Sequence, residues 1–147
     1  MPGPATFLVL AGIGMPSLLH AGAGAFVTPR LSVEARYANT VFNHLVGVGA
    51  TGWLLGQAEG RPPRHSLALT GDAMVNLWAE PLSLASGGDR LGSYAGAWAG
   101  WGFVGERGFV LRAQAGGLFY ADSGFAAGPD ARLALGWTWI RPGAPPG

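Results

Sequence analysis

The 147-residue sequence contains no cysteine, no lysine and little charge of either sign. Without cysteine there are no disulfide bonds, no thiolate metal sites and no thiol catalysis. Charged residues make up 12% of the chain, well below the roughly 25% of an ordinary soluble domain. The nine basic residues are all arginine, scattered from Arg30 to Arg141, and the formal net charge is +1, which argues against a nucleic-acid partner. No segment supplies the roughly 20 consecutive apolar residues of a membrane-spanning helix.

Glycine is abundant, with 26 residues, and the apolar residues recur in segments of about ten that alternate in character. Short connections rich in Gly, Pro, Asn and Asp separate these segments, as chain reversals require. The pattern predicts eight strands, at 6–15, 18–27, 31–42, 45–55, 66–78, 91–104, 109–120 and 131–140. Because most connections are short, we expect antiparallel neighbours in an up-and-down order.

This pattern predicts a single all-β barrel domain over residues 1–147, with strands within about 5–140 and a flexible tail at 141–147. The N-terminal apolar segment has two interpretations, a strand over residues 5–15 or a retained signal peptide. No basic residue precedes Arg30, and glycines interrupt the apolar run, so the strand is favoured.

Each predicted strand has one apolar face and one face that is small or polar. In residues 131–140, Leu133, Leu135, Trp137 and Trp139 alternate with Arg132, Ala134, Gly136 and Thr138. A soluble barrel would expose the small polar face and would need many more charges there. Strands of this length, closed into a barrel with the apolar face outward, are suited to crossing a bilayer. An arginine facing lipid near mid-depth would cost roughly 2–4 kcal/mol. We therefore predict a polar network in the lumen, formed by Glu34, Arg36, Asp72, Asn76, Arg112, Gln114 and Arg132.

The aromatic residues fall near the ends of the predicted strands. If the strands alternate in direction, two belts form at the membrane interfaces, as is typical of transmembrane barrels. The predicted belt residues are Trp53, Trp78, Trp101, Phe109, Phe119, Trp137 and Trp139. The alternative is that these aromatic residues fill the core of a soluble barrel. The outward face of residues 91–104 is ambiguous in the sequence, and a β-bulge there would reconcile its two aromatic patterns.

The segment AGIGMPSLLHAGAGAFVTPRLSVEARYA, an apolar hairpin with a tight TPR turn into an alternating strand, resembles the small OmpA-like outer-membrane barrels of Gram-negative bacteria. The resemblance covers residues 5–140 as a pattern rather than as a motif, so it implies an architecture more than an activity. Such barrels commonly end on a terminal aromatic residue, whereas here Trp139 and Ile140 are followed by RPGAPPG.

Motifs that could carry chemistry are weak. GVGATG at residues 47–52 matches a dinucleotide fingerprint but runs into an apolar strand and does not open a helix. The histidines His20, His44 and His65 are too scattered to suggest a metal site. Acyl transfer by His65, Ser66 and Asp72 is disfavoured, because adjacent strand residues point to opposite faces. We expect no metal, no cofactor and no catalytic residue.

The sequence therefore predicts a non-enzymatic outer-membrane barrel of a Gram-negative bacterium with a structural, anchoring or interaction role. Its expected partners are outer-membrane lipids and, within a larger envelope assembly, another envelope protein, with no nucleic acid. Three alternatives remain open: a lipid-modifying barrel enzyme, a small porin and a soluble lipocalin-like carrier. In the lumen we expect Glu34 or Asp72 to pair with Arg36 or Arg112, because charges in a confined apolar space are tolerated only when paired.

Overall fold

The computed structural model describes residues 6–15, 19–40, 43–56, 62–79, 93–120 and 126–139. These residues form eight β-strands in chain order. The strands are β1 (Thr6–Met15), β2 (Leu19–Thr28), β3 (Leu31–Thr40), β4 (Asn43–Trp53), β5 (His65–Ala79), β6 (Ser93–Val104), β7 (Phe109–Tyr120) and β8 (Ala126–Thr138). The described residues contain no helix long and apolar enough to cross a membrane.

The strands form one closed antiparallel barrel in which each strand pairs with its sequence neighbours. The barrel closes between β1 and β8, with partners running from Leu8 opposite Thr138 to Met15 opposite Ala131. The side chain of Thr138 reinforces this seam by donating a 2.9 Å hydrogen bond to the carbonyl of Phe7. The predicted all-β, eight-stranded, up-and-down architecture is confirmed, and residues 6–15 form one of its strands.

Strand direction defines two ends of the barrel. The odd-numbered strands begin, and the even-numbered strands finish, at what we call the terminal end; the opposite end is the distal end. Side chains alternate between the lumen and the outside, as the pleat requires. In β8 the outward Leu133, Leu135 and Trp137 are 43%, 49% and 41% exposed, whereas the inward Ala134 is 2% exposed. The apolar face of the strand is therefore the outer face of the barrel.

One local expectation was wrong. Residues 126–130 were predicted to be a connection, yet they extend β8 and pair with β7. The described pairing of β8 with β1 runs as far as Met15 opposite Ala131. The outward face of β6, which the sequence leaves ambiguous, is formed without a bulge: its register with β5 and β7 runs without a shift, and Trp101 is exposed whereas Trp98 is buried. The predicted flexible tail, 141–147, lies outside the described residues.

Inward glycines make room for large side chains inside the narrow barrel. A Cβ at Gly102 would collide with the indole of Trp53, and one at Gly96 would collide with the indole of Trp98. A Cβ at Gly49 would lie 2.6 Å from the Nε of Arg36. The glycines of β4 and β6 thus decide which bulky side chains the lumen can hold.

Candidate functional site: the charged interior of the barrel

The lumen is filled in three layers along the barrel axis. A terminal cluster of buried apolar side chains comprises Leu8, Leu10, Phe26, Trp53, Ala68, Val104 and Val110. A distal cluster comprises Ala38, Leu45, Met74, Trp98 and Leu118. Between them lies a buried charged layer, formed by Glu34, Arg36, Asp72, Arg112 and Arg132, with side chains at most 7% exposed. Apolar side chains therefore separate these charges from both ends of the lumen.

Glu34 is the central acceptor of the charged layer. Its Oε1 accepts from Nη1 of Arg112 at 2.9 Å, and its Oε2 accepts from Nη2 of Arg112 at 3.1 Å. Oε2 also accepts from Nη2 of Arg36 at 2.7 Å. One carboxylate on β3 thus binds guanidinium groups from its own strand and from β7. Bidentate pairing of this kind fixes orientation as well as charge.

Asp72 joins the opposite side of the layer to the same network. Its Oδ2 accepts from Nη1 of Arg36 at 3.1 Å and from Nη1 of Arg132 at 3.4 Å. Arg36 therefore links the two carboxylates, and the chain of pairs runs from Arg112 through Glu34, Arg36 and Asp72 to Arg132. The structure gives all the pairings that the sequence offered as alternatives except Asp72 with Arg112.

A third carboxylate, that of Asp130, lies beside this series of ion pairs. The sequence does not predict Asp130 as a member of the luminal network. Its Oδ2 accepts from the indole Nε1 of Trp98 at 2.9 Å, and the guanidinium carbon of Arg132 lies 3.6 Å from the Trp98 ring centroid. Including Asp130, the charged side chains of the layer balance at three arginines and three acids. A cation over an aromatic face gains electrostatic stabilisation, which is larger in a desolvated site.

Neutral polar side chains complete the layer on its terminal side. Nη1 of Arg112 donates to Oγ1 of Thr51 at 2.6 Å, and the hydroxyls of Thr51 and Thr70 are 2.8 Å apart. Gln114 donates from Nε2 to Oγ1 of Thr70 at 2.9 Å and to the carbonyl of Ala68 at 3.0 Å. These bonds join the charged layer to the hydroxyls of β4 and β5. The side chain of the predicted member Asn76 lies outside the described residues.

The interior cavity bordered by the charged layer is very small. Its volume is about 20 Å³, and its lining includes His20, Arg36, Asp72, Trp98 and Arg132. A cavity needs about 10–15 Å³ to hold a single water, and a small-molecule pocket is usually about 300 Å³ or more. This cavity therefore has room for about one water and not for a carried ligand.

The outer aromatic side chains lie near both ends of the barrel. At the terminal end Trp101, Phe109, Trp137 and Trp139 point outward and are 42%, 41%, 41% and 54% exposed. At the distal end Phe119 points outward and is 38% exposed. Trp78 lies in β5, but its side chain is outside the described residues.

The assignment of Trp53 to the interface belt is wrong, because its side chain is fully buried in the lumen. Its Nε1 donates to Oγ of Ser32 at 3.2 Å, and its ring packs 5.6 Å from that of Phe26. The sequence held a signal for this. Trp53 has the same strand parity as Gly49 and Thr51, the small and polar face of β4, whereas the β-branched valines have the other parity. Trp98 also points inward, and it lies at the same alternate positions of β6 as the inward glycines.

The residues considered for catalysis do not form a dyad. The His65 side chain is exposed, whereas Ser66 is 4% exposed and points inward. Ser66 donates to the carbonyl of Leu67 at 3.2 Å. The described part of the chain holds no group of three or more His, Cys, Asp or Glu side chains arranged for a metal ion.

No protein-family model matches this chain, and no curated protein sequence matches it. Two solved structures share its fold. The N-terminal β-barrel domain of Pseudomonas aeruginosa OprF superposes with a TM-score of 0.63 at 14% identity, over 95% of this chain and 100% of that domain. A barrel from the de novo design of transmembrane β-barrels superposes with a TM-score of 0.58 at 14% identity, over 95% and 98% of the two chains. The chain thus has the fold of OmpA-like and designed transmembrane barrels.

Proposed function

We propose that this protein is an integral outer-membrane barrel of a Gram-negative envelope that acts as a non-conducting, non-enzymatic structural or anchoring element. The observation that carries the proposal is that the outer face of the barrel is apolar and the inner face is charged, the reverse of a soluble protein. Outward Phe7, Ile13 and Val48 are 71%, 60% and 66% exposed, whereas Glu34 and Arg112 are each 3% exposed. Water would be a poor solvent for such a surface, and a hydrocarbon environment suits it.

The layered lumen supports a closed barrel rather than a pore. An eight-stranded barrel is just wide enough for side chains to fill it. Here apolar clusters lie on both sides of the charged layer, and the cavity beside that layer is about 20 Å³. A continuous water path would require both apolar clusters to open.

The same features argue against the other functions considered. A lipocalin-like carrier needs an interior ligand pocket, which the cavity beside the charged layer is too small to provide. A lipid-modifying enzyme of the Ser-His type needs its two groups within hydrogen-bond reach, and His65 and Ser66 point to opposite faces. We propose outer-membrane lipids as the primary partners, with a second envelope protein as a further partner.

Two measurements test the proposal. The protein refolded into phospholipid vesicles should become protected from added protease and should change its gel mobility on heating, as closed membrane barrels do. In planar bilayers the same sample should give no stable conductance steps. A monodisperse monomer in detergent-free buffer would contradict the membrane assignment. Large stable conductance steps would contradict the closed barrel and indicate a porin.

A further inference from the structure

A cluster of four aromatic rings covers the outer face of β5, β6 and β7 at the terminal end. The ring of His65 stacks on Trp101 with centroids 5.7 Å apart and lies 5.1 Å from Phe103. Phe103 in turn lies 6.0 Å from Trp101 and 6.5 Å from Phe109. Nε1 of Trp101 donates to Nδ1 of His65 at 3.2 Å, which fixes the orientation of both rings. The cluster is thus an ordered surface of stacked and tilted rings.

An exposed ion pair lies at the rim beside this cluster. Nη1 of Arg64 is 3.4 Å from Oε1 of Glu106, and the two side chains are 56% and 66% exposed. The backbone N–H of Val104 donates to the carbonyl of Arg64 at 2.9 Å, so the pair is held next to the strand ends that carry the rings. An exposed pair of this kind contributes little to folding, and its two charges can exchange partners readily.

Among the described residues, the β2–β4 side of the terminal end carries a different set of apolar side chains. On the β2–β4 side the aromatic side chains of Phe26 and Trp53 point inward and are 3% and 0% exposed. The outward positions there carry the aliphatic Val27, Leu54 and Leu55 instead. The rim therefore differs in chemistry around the barrel, and general anchoring at the membrane interface does not require such a difference.

We propose that the Arg64–Glu106 pair and the four-ring cluster form a binding site for a zwitterionic phospholipid headgroup, a phosphate joined to a primary ammonium. The guanidinium of Arg64 binds the phosphate, the carboxylate of Glu106 accepts from the ammonium, and Trp101 supports the glycerol region. The charges are complementary, because this headgroup carries a phosphate followed by an ammonium, and the rim offers a guanidinium and a carboxylate. The inference rests on the proposed membrane location.

The test uses the full chain refolded into vesicles that contain phosphatidylethanolamine and phosphatidylglycerol in equal amounts with identical acyl chains. Lipids retained after extraction into detergent are then identified by native mass spectrometry. We expect the wild-type protein to retain phosphatidylethanolamine over phosphatidylglycerol by about fivefold, the ratio that one exposed charge contact gives. Glu106→Gln removes the negative charge that attracts the ammonium and should bring the ratio close to one, whereas Arg64→Gln should lower the retention of both lipids.

Trp139→Leu is the matched control for Trp101→Leu, since both tryptophans are exposed near the terminal end and only Trp101 belongs to the four-ring cluster. Trp101→Leu should lower the retention ratio, and Trp139→Leu should leave it unchanged. A wild-type ratio of one or less, or an equal effect of both tryptophan variants, would overturn the site. Protease protection separates the two proposals. Loss of insertion in the wild type would overturn the membrane location and this site together, whereas insertion without headgroup preference would overturn this site alone.

Discussion

Arg112 on β7 and Glu34 on β3 form a bidentate ion pair across the lumen, although they lie 78 residues apart in the chain. The two side chains are 3% and 1% exposed, so neither charge is solvated by bulk water. Breaking such a pair leaves a buried charge without compensation, which is much more costly than losing an exposed pair. The geometry of this pair therefore matters as much as its charge.

Arg112→Lys should destabilise the barrel although it keeps the positive charge. A lysine cannot donate to both carboxylate oxygens of Glu34 and to Thr51 with the planar fork of a guanidinium. We expect the free energy of unfolding, measured by urea titration in vesicles, to fall by about 1–3 kcal/mol. Arg64→Lys, at the exposed pair, serves as the control and should change it by less than about 0.5 kcal/mol. Equal effects at the two sites would contradict the buried bidentate pair.

Asp72→Ala should remove the carboxylate shared by Arg36 and Arg132. The expected loss in the free energy of unfolding is about 3–5 kcal/mol, because two buried guanidinium groups lose an anionic partner. Asp72→Asn keeps the shape and an acceptor oxygen, so it should cost less than the alanine variant. If both variants unfold at the wild-type urea concentration, Asp72 does not stabilise the charged layer.

Gly102→Ala should destabilise the wild-type barrel by about 1–3 kcal/mol, because the new methyl group collides with the indole of Trp53. In a Trp53→Leu background the ring is gone, and the same substitution should be nearly neutral. A double-mutant cycle on the free energy of unfolding measures this coupling. Additive effects would show that Gly102 is not required for the packing of Trp53.

Leu135→Arg should impair folding into a bilayer. Leu135 is 49% exposed and pairs with Ala11, near the middle of β1, so the guanidinium would meet hydrocarbon near mid-depth. The expected cost is about 2–4 kcal/mol, read as a lower folded fraction in vesicles. Leu135→Met, the apolar control, should refold as the wild type does. Comparable yields of the arginine and methionine variants in vesicles would place Leu135 away from the lipid.

The alternation of each strand predicts most of the fold, because barrel closure makes a face either lipid-facing or luminal over its whole length. The same alternation predicts the positions of Glu34, Arg36, Asp72 and Arg112 in the lumen. The belt prediction for Trp53 is wrong because a tryptophan at a strand end fits either the interface or the lumen, and its position in the alternation of β4 points it inward. An aromatic residue in phase with glycines points inward, since those glycines leave the space it fills.

Asp130 could not be found in this way, because the segment around it has the Gly and Pro content of a turn. Its strand conformation comes from pairing with β7, which local sequence does not show. The sequence predicts that Glu34 or Asp72 pairs with Arg36 or Arg112, but it does not show which of these pairs form or that Arg132 joins Asp72. Which arginine meets which carboxylate depends on the stagger between strands, and no single strand contains that information.

The charged layer has a consequence for how the barrel enters a membrane. Its pairs join β3 to β5, β3 to β7 and β5 to β8, so no two adjacent strands contain a complete network. The pair Glu34–Arg36 lies within β3, but β5 or β7 inserted by itself would carry Asp72 or Arg112 through hydrocarbon without its partner, at a cost that the other strands offset. Insertion of the strands as a closing barrel avoids this cost, whereas a chain that stops before β7 would lack Arg112 and Arg132 and would leave Glu34 and Asp72 to share Arg36.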